Sequence, residues 1–197
     1  MENSIQINEK NEKQKSFTGH LYDWVEALIF SFIVIILLFT FAFRFVGVKG
    51  ESMTDTLKDK DRLIISNLFY KPQKGDIVVI TRNYKNLDYS DKETVKEPLI
   101  KRIIATSGDE VDIKNGSVYV NKKRIEENYV TSETTTDYRS IENNVFFPLT
   151  VPQGQVFYLG DNRSGSADSR IYGTADERSI IGKVIFRIYP LSEFKLF

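Results

Sequence analysis

The apolar and polar positions divide the chain into three stretches. Residues 1–15 are polar and sign-mixed, with Glu2, Glu9 and Glu12 interleaved with Lys10, Lys13 and Lys15, the pattern of a mobile tail. Residues 27–43 are apolar apart from Ser31 and Thr40 and carry no charge. As a helix this run measures about 25 Å, slightly short of a hydrocarbon core of about 30 Å. Trp24, Val25, Phe45 and Val46 lengthen it, and Tyr22 and Trp24 suit the headgroup belt. The hydroxyls of Ser31 and Thr40 can bond back to the preceding turn. A buried core helix would show a polar face, and a cleaved leader would end in small residues, whereas bulky Phe39, Phe41, Phe43 and Phe45 close this run. The pattern predicts a retained, single transmembrane helix over 24–46, a tail over 1–23 and a body over 47–197. Basic residues flank both sides (Lys10, Lys13 and Lys15 before; Arg44, Lys49, Lys58, Lys60 and Arg62 after), so the charge count leaves orientation open.

After residue 49 the apolar run gives way to short segments rich in Val, Ile, Tyr and Phe: 62–65, 76–80, 100–106, 110–113, 117–120, 155–159 and 181–189. Turn formers separate them, notably Lys74-Gly75-Asp76, Ser107-Gly108-Asp109, Asn115-Gly116 and Pro152-Gln153-Gly154. Asn115-Gly116 is the strongest hairpin signal. No long amphipathic helix is visible in this half, and residues 84–96 and 127–144 read as polar excursions. The fold class expected is mainly β: a bent antiparallel sheet or partial barrel behind one N-terminal helix.

Composition narrows the chemistry. The 197 residues contain no cysteine and a single histidine, His20, which lies in the polar stretch before the apolar run. Thiol nucleophiles, disulfides and cysteine-rich zinc sites are excluded, and a histidine triad or multi-histidine metal site would require His20. Any hydrolytic base must come from Lys, Asp, Glu or Tyr. The 27 basic and 27 acidic residues balance, without the basic excess of a nucleic-acid binder.

Three segments are candidates for chemistry. In Gly50-Glu51-Ser52-Met53-Thr54-Asp55-Thr56-Leu57 a serine follows a glycine, which leaves the backbone free to present a hydroxyl, although a turn serine has the same signature. Lys101 sits in the apolar strand Leu99-Ile100-Lys101-Arg102-Ile103-Ile104. Pointing inward it would lose solvation and become a usable base; strand alternation equally allows it to face solvent. Residues 159–170 pack Asp161, Asn162, Arg163, Ser166, Asp168 and Arg170 into one loop, where carboxylates beside arginines are usually ion-paired and poor general acids.

Taken in order, these segments resemble the bacterial type I signal peptidases, membrane-bound serine–lysine proteases that remove signal peptides, and most of all their compact Gram-positive branch. Gly50-x-Ser52-Met53-x-x-Thr56-Leu57 resembles the nucleophile box, Lys74-Gly75-Asp76-Ile77-Val78 a strand box, and Lys101-Arg102 with Gly108-Asp109 the lysine box. Gly160-Asp161-Asn162-Arg163, Ser166, Asp168-Ser169-Arg170 and Gly173 resemble the last box. The resemblance implies Ser52 as nucleophile, Lys101 as general base and Ser166 as a hydrogen-bonding support for the lysine. It implies Asp168–Arg170 as a structural ion pair, and Asp161 and Asn162 as architecture. The oxyanion would meet the Ser52 N–H and a backbone or water donor near Gly50. Met53, Leu57, Leu99 and Ile100 would line shallow pockets for small substrate residues of the Ala-x-Ala type. The partners implied are secretory precursors and the lipid bilayer, with no nucleic acid, metal or cofactor, in a single-pass protein of the cell membrane with a cytoplasmic N-terminus and an outer body. The chain departs from the family where Asp55 replaces the usual proline, and where Ala105 and Ser107 replace a glycine and a proline. These departures motivate the alternative of an inactive paralogue that binds precursors or acts as a membrane scaffold.

Overall fold

The computed structural model describes residues 2–81, 98–136 and 144–197, without the side chains of 2–18, 20, 38 and 41. The chain forms two units, 1–42 and 43–197. The first is one helix, α1 (Glu2–Ala42), so the expected tail is helical in its backbone. Ser31 Oγ donates to the Ala27 carbonyl and Thr40 Oγ1 to the Ile36 carbonyl, each at 2.7 Å. Among the described residues no helix is long and apolar enough to cross a membrane; Leu38 and Phe41, inside the expected span, lie outside the described side chains.

The helix ends four residues earlier than the expected anchor. Residues 43–46 belong to β1 (Phe43–Gly47), which pairs antiparallel with β2 (Arg62–Ser66). Both segments carry β-favouring residues, and ladder hydrogen bonds override the helical continuation that apolarity alone suggests.

The second unit is antiparallel throughout its described pairings. Its larger sheet runs β1, β2, β11 (Ile180–Tyr189), β3 (Ile77–Ile80), β4 (Leu99–Thr106), β9 (Gln155–Leu159) and β10 (Ala175–Asp176), with β12 (Lys195–Leu196) on β11. A smaller sheet holds β7 (Lys123–Arg124), β6 (Ser117–Val120), β5 (Glu110–Lys114) and β8 (Leu149–Thr150). Register shifts in β11 and in the β4–β9 ladder bend the larger sheet into a curled half-barrel. The excursion expected over 84–96 lies outside the described residues, as do 137–143 of the second. The pieces the sequence did not announce are short: β7, β8, β10, β12 and the one-turn helix α2 (Ser169–Tyr172). Two or four residues carry too little periodicity to be read from a pattern.

β3 explains the core. All four of its residues are buried, Ile77 and Val79 in a cluster with Met53, Leu63 and Ile65, and Val78 and Ile80 in another with Ile103 and Tyr158. A third cluster, around Val111, Val118 and Phe157, joins residues of the two sheets. The expected hairpin is present: Lys114 faces Ser117 across Asn115 and Gly116, at φ 49° and 73°. Both central residues are left-handed, as a two-residue turn matching strand twist requires. A Cβ on Gly116 would also lie 3.0 Å from the Glu133 side chain. Gly116→Ala is therefore expected to destabilise the chain by about 1 kcal/mol or more, read as a lowered thermal midpoint.

Candidate active site

Ser52 lies on a loop whose neck is closed by backbone bonds. The Val48 N–H donates to the Asp61 carbonyl (2.8 Å) and the Lys60 N–H to the Val48 carbonyl (3.0 Å), so the chain leaves and returns at one point. Thr56 and Leu57 N–H groups donate to the Met53 carbonyl, and the buried Met53 and Leu57 side chains root the loop in the core. Asp61 caps the Lys58 N–H and pairs with Arg187, which also donates to the Thr56 carbonyl. Asp55 and Lys60 both take left-handed φ, 80° and 71°. A proline, held near φ of about −65°, has no access to the Asp55 conformation, and the Asp55 carboxylate instead accepts from Thr131 Oγ1 at 2.9 Å.

The loop after β9 holds Ser52 from the other side. The Asn162 N–H donates to the Ser52 carbonyl (3.1 Å) and its side-chain amide to the Glu51 carbonyl (3.0 Å). Gly160 makes this approach possible: a Cβ there would stand 2.4 Å from the Ser52 carbonyl oxygen and 2.2 Å from Ser166 Oγ. The loop is itself rigid. Asp168 accepts from the Gly160 N–H and from Arg170 Nε and Nη2, while Arg170 also reaches the carbonyls of Thr135, Arg163 and Ser166. Arg163, fully buried, pairs with Glu127 and donates to Thr134 Oγ1.

β4 brings Lys101 to the serine. Its Nζ lies 2.6 Å from Ser52 Oγ, and the residue is 2% exposed. Arg102 settles the strand alternation that the sequence left open. Its guanidinium grips Asp161 with two bonds (2.9 and 2.6 Å), donates to the Gly75 carbonyl and stacks 3.9 Å over the Tyr129 ring. Burial lowers the Lys101 pKa to about 8; the Asp168 and Asp161 carboxylates pull it upward, and Arg170 pushes it down. Beside the pair opens a cleft of about 380 Å³, lined by Met53, Leu99, Ile100 and residues 45–50.

Most of the expected residues converge here: Ser52, Lys101, Met53, Leu99 and Ile100 line the cleft, with Asp161, Asn162, Asp168 and Arg170 as scaffold behind it. Three expectations change. Ser166 Oγ is buried without a hydrogen-bond partner among the described residues, so it does not hold the lysine. The Gly50 N–H is taken by Asp59 Oδ1 at 3.0 Å and is not a free oxyanion donor, whereas the Ser52 N–H makes no hydrogen bond among the described residues. Leu57 is fully buried in the core cluster and does not line the cleft. Asp59 was not singled out from sequence, and Gly160 and Arg102 entered only as parts of motifs without a role, because each acts through a contact with a distant or backbone atom. For Asp59 the signal was an aspartate in a turn-rich run.

The family described as "Signal peptidase, peptidase S26" matches residues 21–189. Signal peptidase IB of Staphylococcus aureus is 36% identical over 188 residues, 89% of this chain and 93% of that protein. Signal peptidase I P of Bacillus subtilis subsp. natto is 33% identical over 192 residues, 93% of this chain and 97% of that protein. The crystal structure of a signal peptidase I from Enterococcus faecalis V583 aligns with a TM-score of 0.46 at 28% identity, covering 58% of this chain and 97% of that one.

The buried amine has a measurable consequence for stability. Below pH 8 both states carry a proton on Lys101, and the folded state bears the whole cost of burying it. Between pH 8 and the unfolded value of about 10.4 only the unfolded chain holds that proton, so wild-type stability rises with pH across this window. Lys101→Met is expected to be more stable than wild type at pH 7, by up to roughly 3 kcal/mol. Denaturant melts at several pH values should show the difference shrinking as pH rises toward 10.

Proposed function

The chain belongs to the signal peptidase family, peptidase S26, and from that premise we propose that it cuts signal peptides from exported precursors with Ser52 as nucleophile and Lys101 as general base. The observation that carries this reading is the 2.6 Å contact between Lys101 Nζ and Ser52 Oγ at the edge of a cleft. A lysine with a pKa of about 8 is neutral in about one molecule in ten at pH 7 and in about half at pH 8, and only the neutral amine can accept the serine proton.

The steps follow from these atoms. Ser52 Oγ gives its proton to Lys101 Nζ as it attacks the scissile carbonyl. The oxyanion forms against the Ser52 N–H, which has no other acceptor among the described residues. Collapse expels the amine of the mature protein, which takes its proton from Lys101 and leaves an acyl ester on Ser52. Lys101, neutral again, takes a proton from a water that attacks the ester, then gives it to Ser52 Oγ as the ester bond breaks, freeing the signal peptide and restoring Ser52 and the neutral amine. Asn162, Gly160 and the Asp168–Arg170 pair contribute by fixing where Ser52 stands.

Met53, Leu99 and Ile100 give the cleft its apolar wall, suited to the small residues of an Ala-x-Ala sequence. α1 is the membrane anchor in this reading. Its described side chains from 27 to 37 are all exposed and, Ser31 apart, apolar, and a helix apolar around its circumference needs a hydrocarbon covering. The N-terminus is then cytoplasmic and the catalytic body lies outside the membrane.

The test uses the full chain in detergent with a precursor bearing Ala-x-Ala before its cut. Wild type should process it, and Ser52→Ala and Lys101→Ala should each lose at least about a thousandfold in rate. The wild-type rate should rise with pH through an inflection near 8. Equal processing by all three proteins would sink the dyad, and no processing by wild type would favour a non-catalytic, precursor-binding role. Gly160→Ala should lower kcat about a hundredfold by displacing the Ser52 carbonyl, and adding Ser166→Ala should not restore it, because the backbone collision remains.

A further inference from the structure

The cleft has a mixed polar and apolar lining, and only two of its described lining residues, Lys49 and Lys101, carry charge. Among its described lining residues, Phe45, Met53, Pro98, Leu99 and Ile100 are uncharged and the amine of Lys101 is buried against Ser52. The remaining charge is Lys49. It is exposed, and its ammonium has no carboxylate or hydrogen-bond partner among the described residues.

Both neighbours of Lys49 are pinned. Val48 is buried in the core cluster, and its N–H and carbonyl are both engaged with the 60–61 segment. Gly50 is held left-handed at φ 81° with its N–H on Asp59. The backbone of Lys49 is therefore fixed at the cleft wall, three residues before the nucleophile, and its flexible side chain has the cleft within reach. An exposed, unpaired cation beside the groove exerts a solvent-screened field on whatever charge the groove holds.

We propose that Lys49 is a specificity-determining residue, which selects an acidic side chain, and disfavours a basic one, at one position of the extended substrate near the scissile bond. This deepens the reading of the cleft as a peptide-binding groove and rests on it. The apolar wall then recognises small residues by shape, and Lys49 adds a sign-dependent preference beside them.

The test separates binding from cleavage. Fluorescent peptides with alanine at the first and third residues before the cut carry Asp, Ala or Lys at each other flanking position in turn. Hydrolysis is measured with the full-length protein, and binding by anisotropy with Ser52→Ala, each in the Lys49, Lys49→Met, Lys49→Arg and Lys49→Glu backgrounds. The expected result is one position at which Asp is preferred over Lys by about two- to fivefold, the size of a partly exposed ion pair. The preference should vanish in Lys49→Met, persist in Lys49→Arg, reverse in Lys49→Glu and fade in high salt. The same charge ranking in all four backgrounds would overturn the proposal, as would peptides that neither bind nor are cut. Binding with the expected ranking but no hydrolysis would uphold Lys49 as a selector while removing the Ser52–Lys101 mechanism.

Discussion

The burial of one amine organises the catalytic half of this molecule. Lys101 is almost wholly withdrawn from solvent, and a charged ammonium in that place is unfavourable because protein solvates it worse than water does. The strand tolerates it because the neutral form is within reach near physiological pH and because Ser52 Oγ meets the nitrogen at 2.6 Å. Arg102 prevents a simple escape by rotation of the strand. Its guanidinium is committed to Asp161, the Gly75 carbonyl and the Tyr129 ring, so the side chain next to it in sequence cannot trade places with it.

The serine is fixed with equal economy and almost entirely through backbone. The neck at Val48 closes the loop from below, Asn162 holds two successive carbonyls from the side, and Gly160 leaves the space for that approach. Asp55 stands where the sequence resemblance leads one to expect proline. At φ 80° it shows that the turn here follows a backbone path proline has no access to, stabilised instead by a bond to Thr131. The other two departures are equally accommodated. Ala105 is buried between the two sheets, and the Ser107 hydroxyl accepts from the Gly154 N–H at 2.9 Å.

A composition without cysteine and with one histidine fits a serine and a lysine that need neither. The carboxylates that composition also offered as bases are committed elsewhere: Asp161 to Arg102, Asp168 to Arg170 and Gly160, Glu127 to Arg163. Each tunes or supports the site while remaining paired. The buried Lys101 amine, by contrast, meets a hydroxyl rather than a carboxylate.

The chain's own pattern was enough for the β-rich class, the positions of the longer strands and the Asn115-Gly116 hairpin. These depend on side-chain alternation and local turn preference, which are properties of neighbouring residues. Motif order singled out Ser52 and Lys101, which the fold brings to 2.6 Å of each other, and sequence adjacency to an arginine anticipated the Asp168–Arg170 pair but not the partner of Asp161, which is Arg102. Only the folded chain decided that Lys101 faces inward, that Ser166 is left without a partner, that Asp59 occupies the Gly50 N–H and that Leu57 belongs to the core. Only it showed that the strand begins at Phe43, four residues inside the apolar run. The deciding contacts join atoms that no local pattern relates: the strand residue Arg102 and the loop residue Asp161, the Gly50 N–H and the Asp59 carboxylate. Periodicity reports which face a residue prefers, but which atom meets it there is settled when the sheet curls and its loops close.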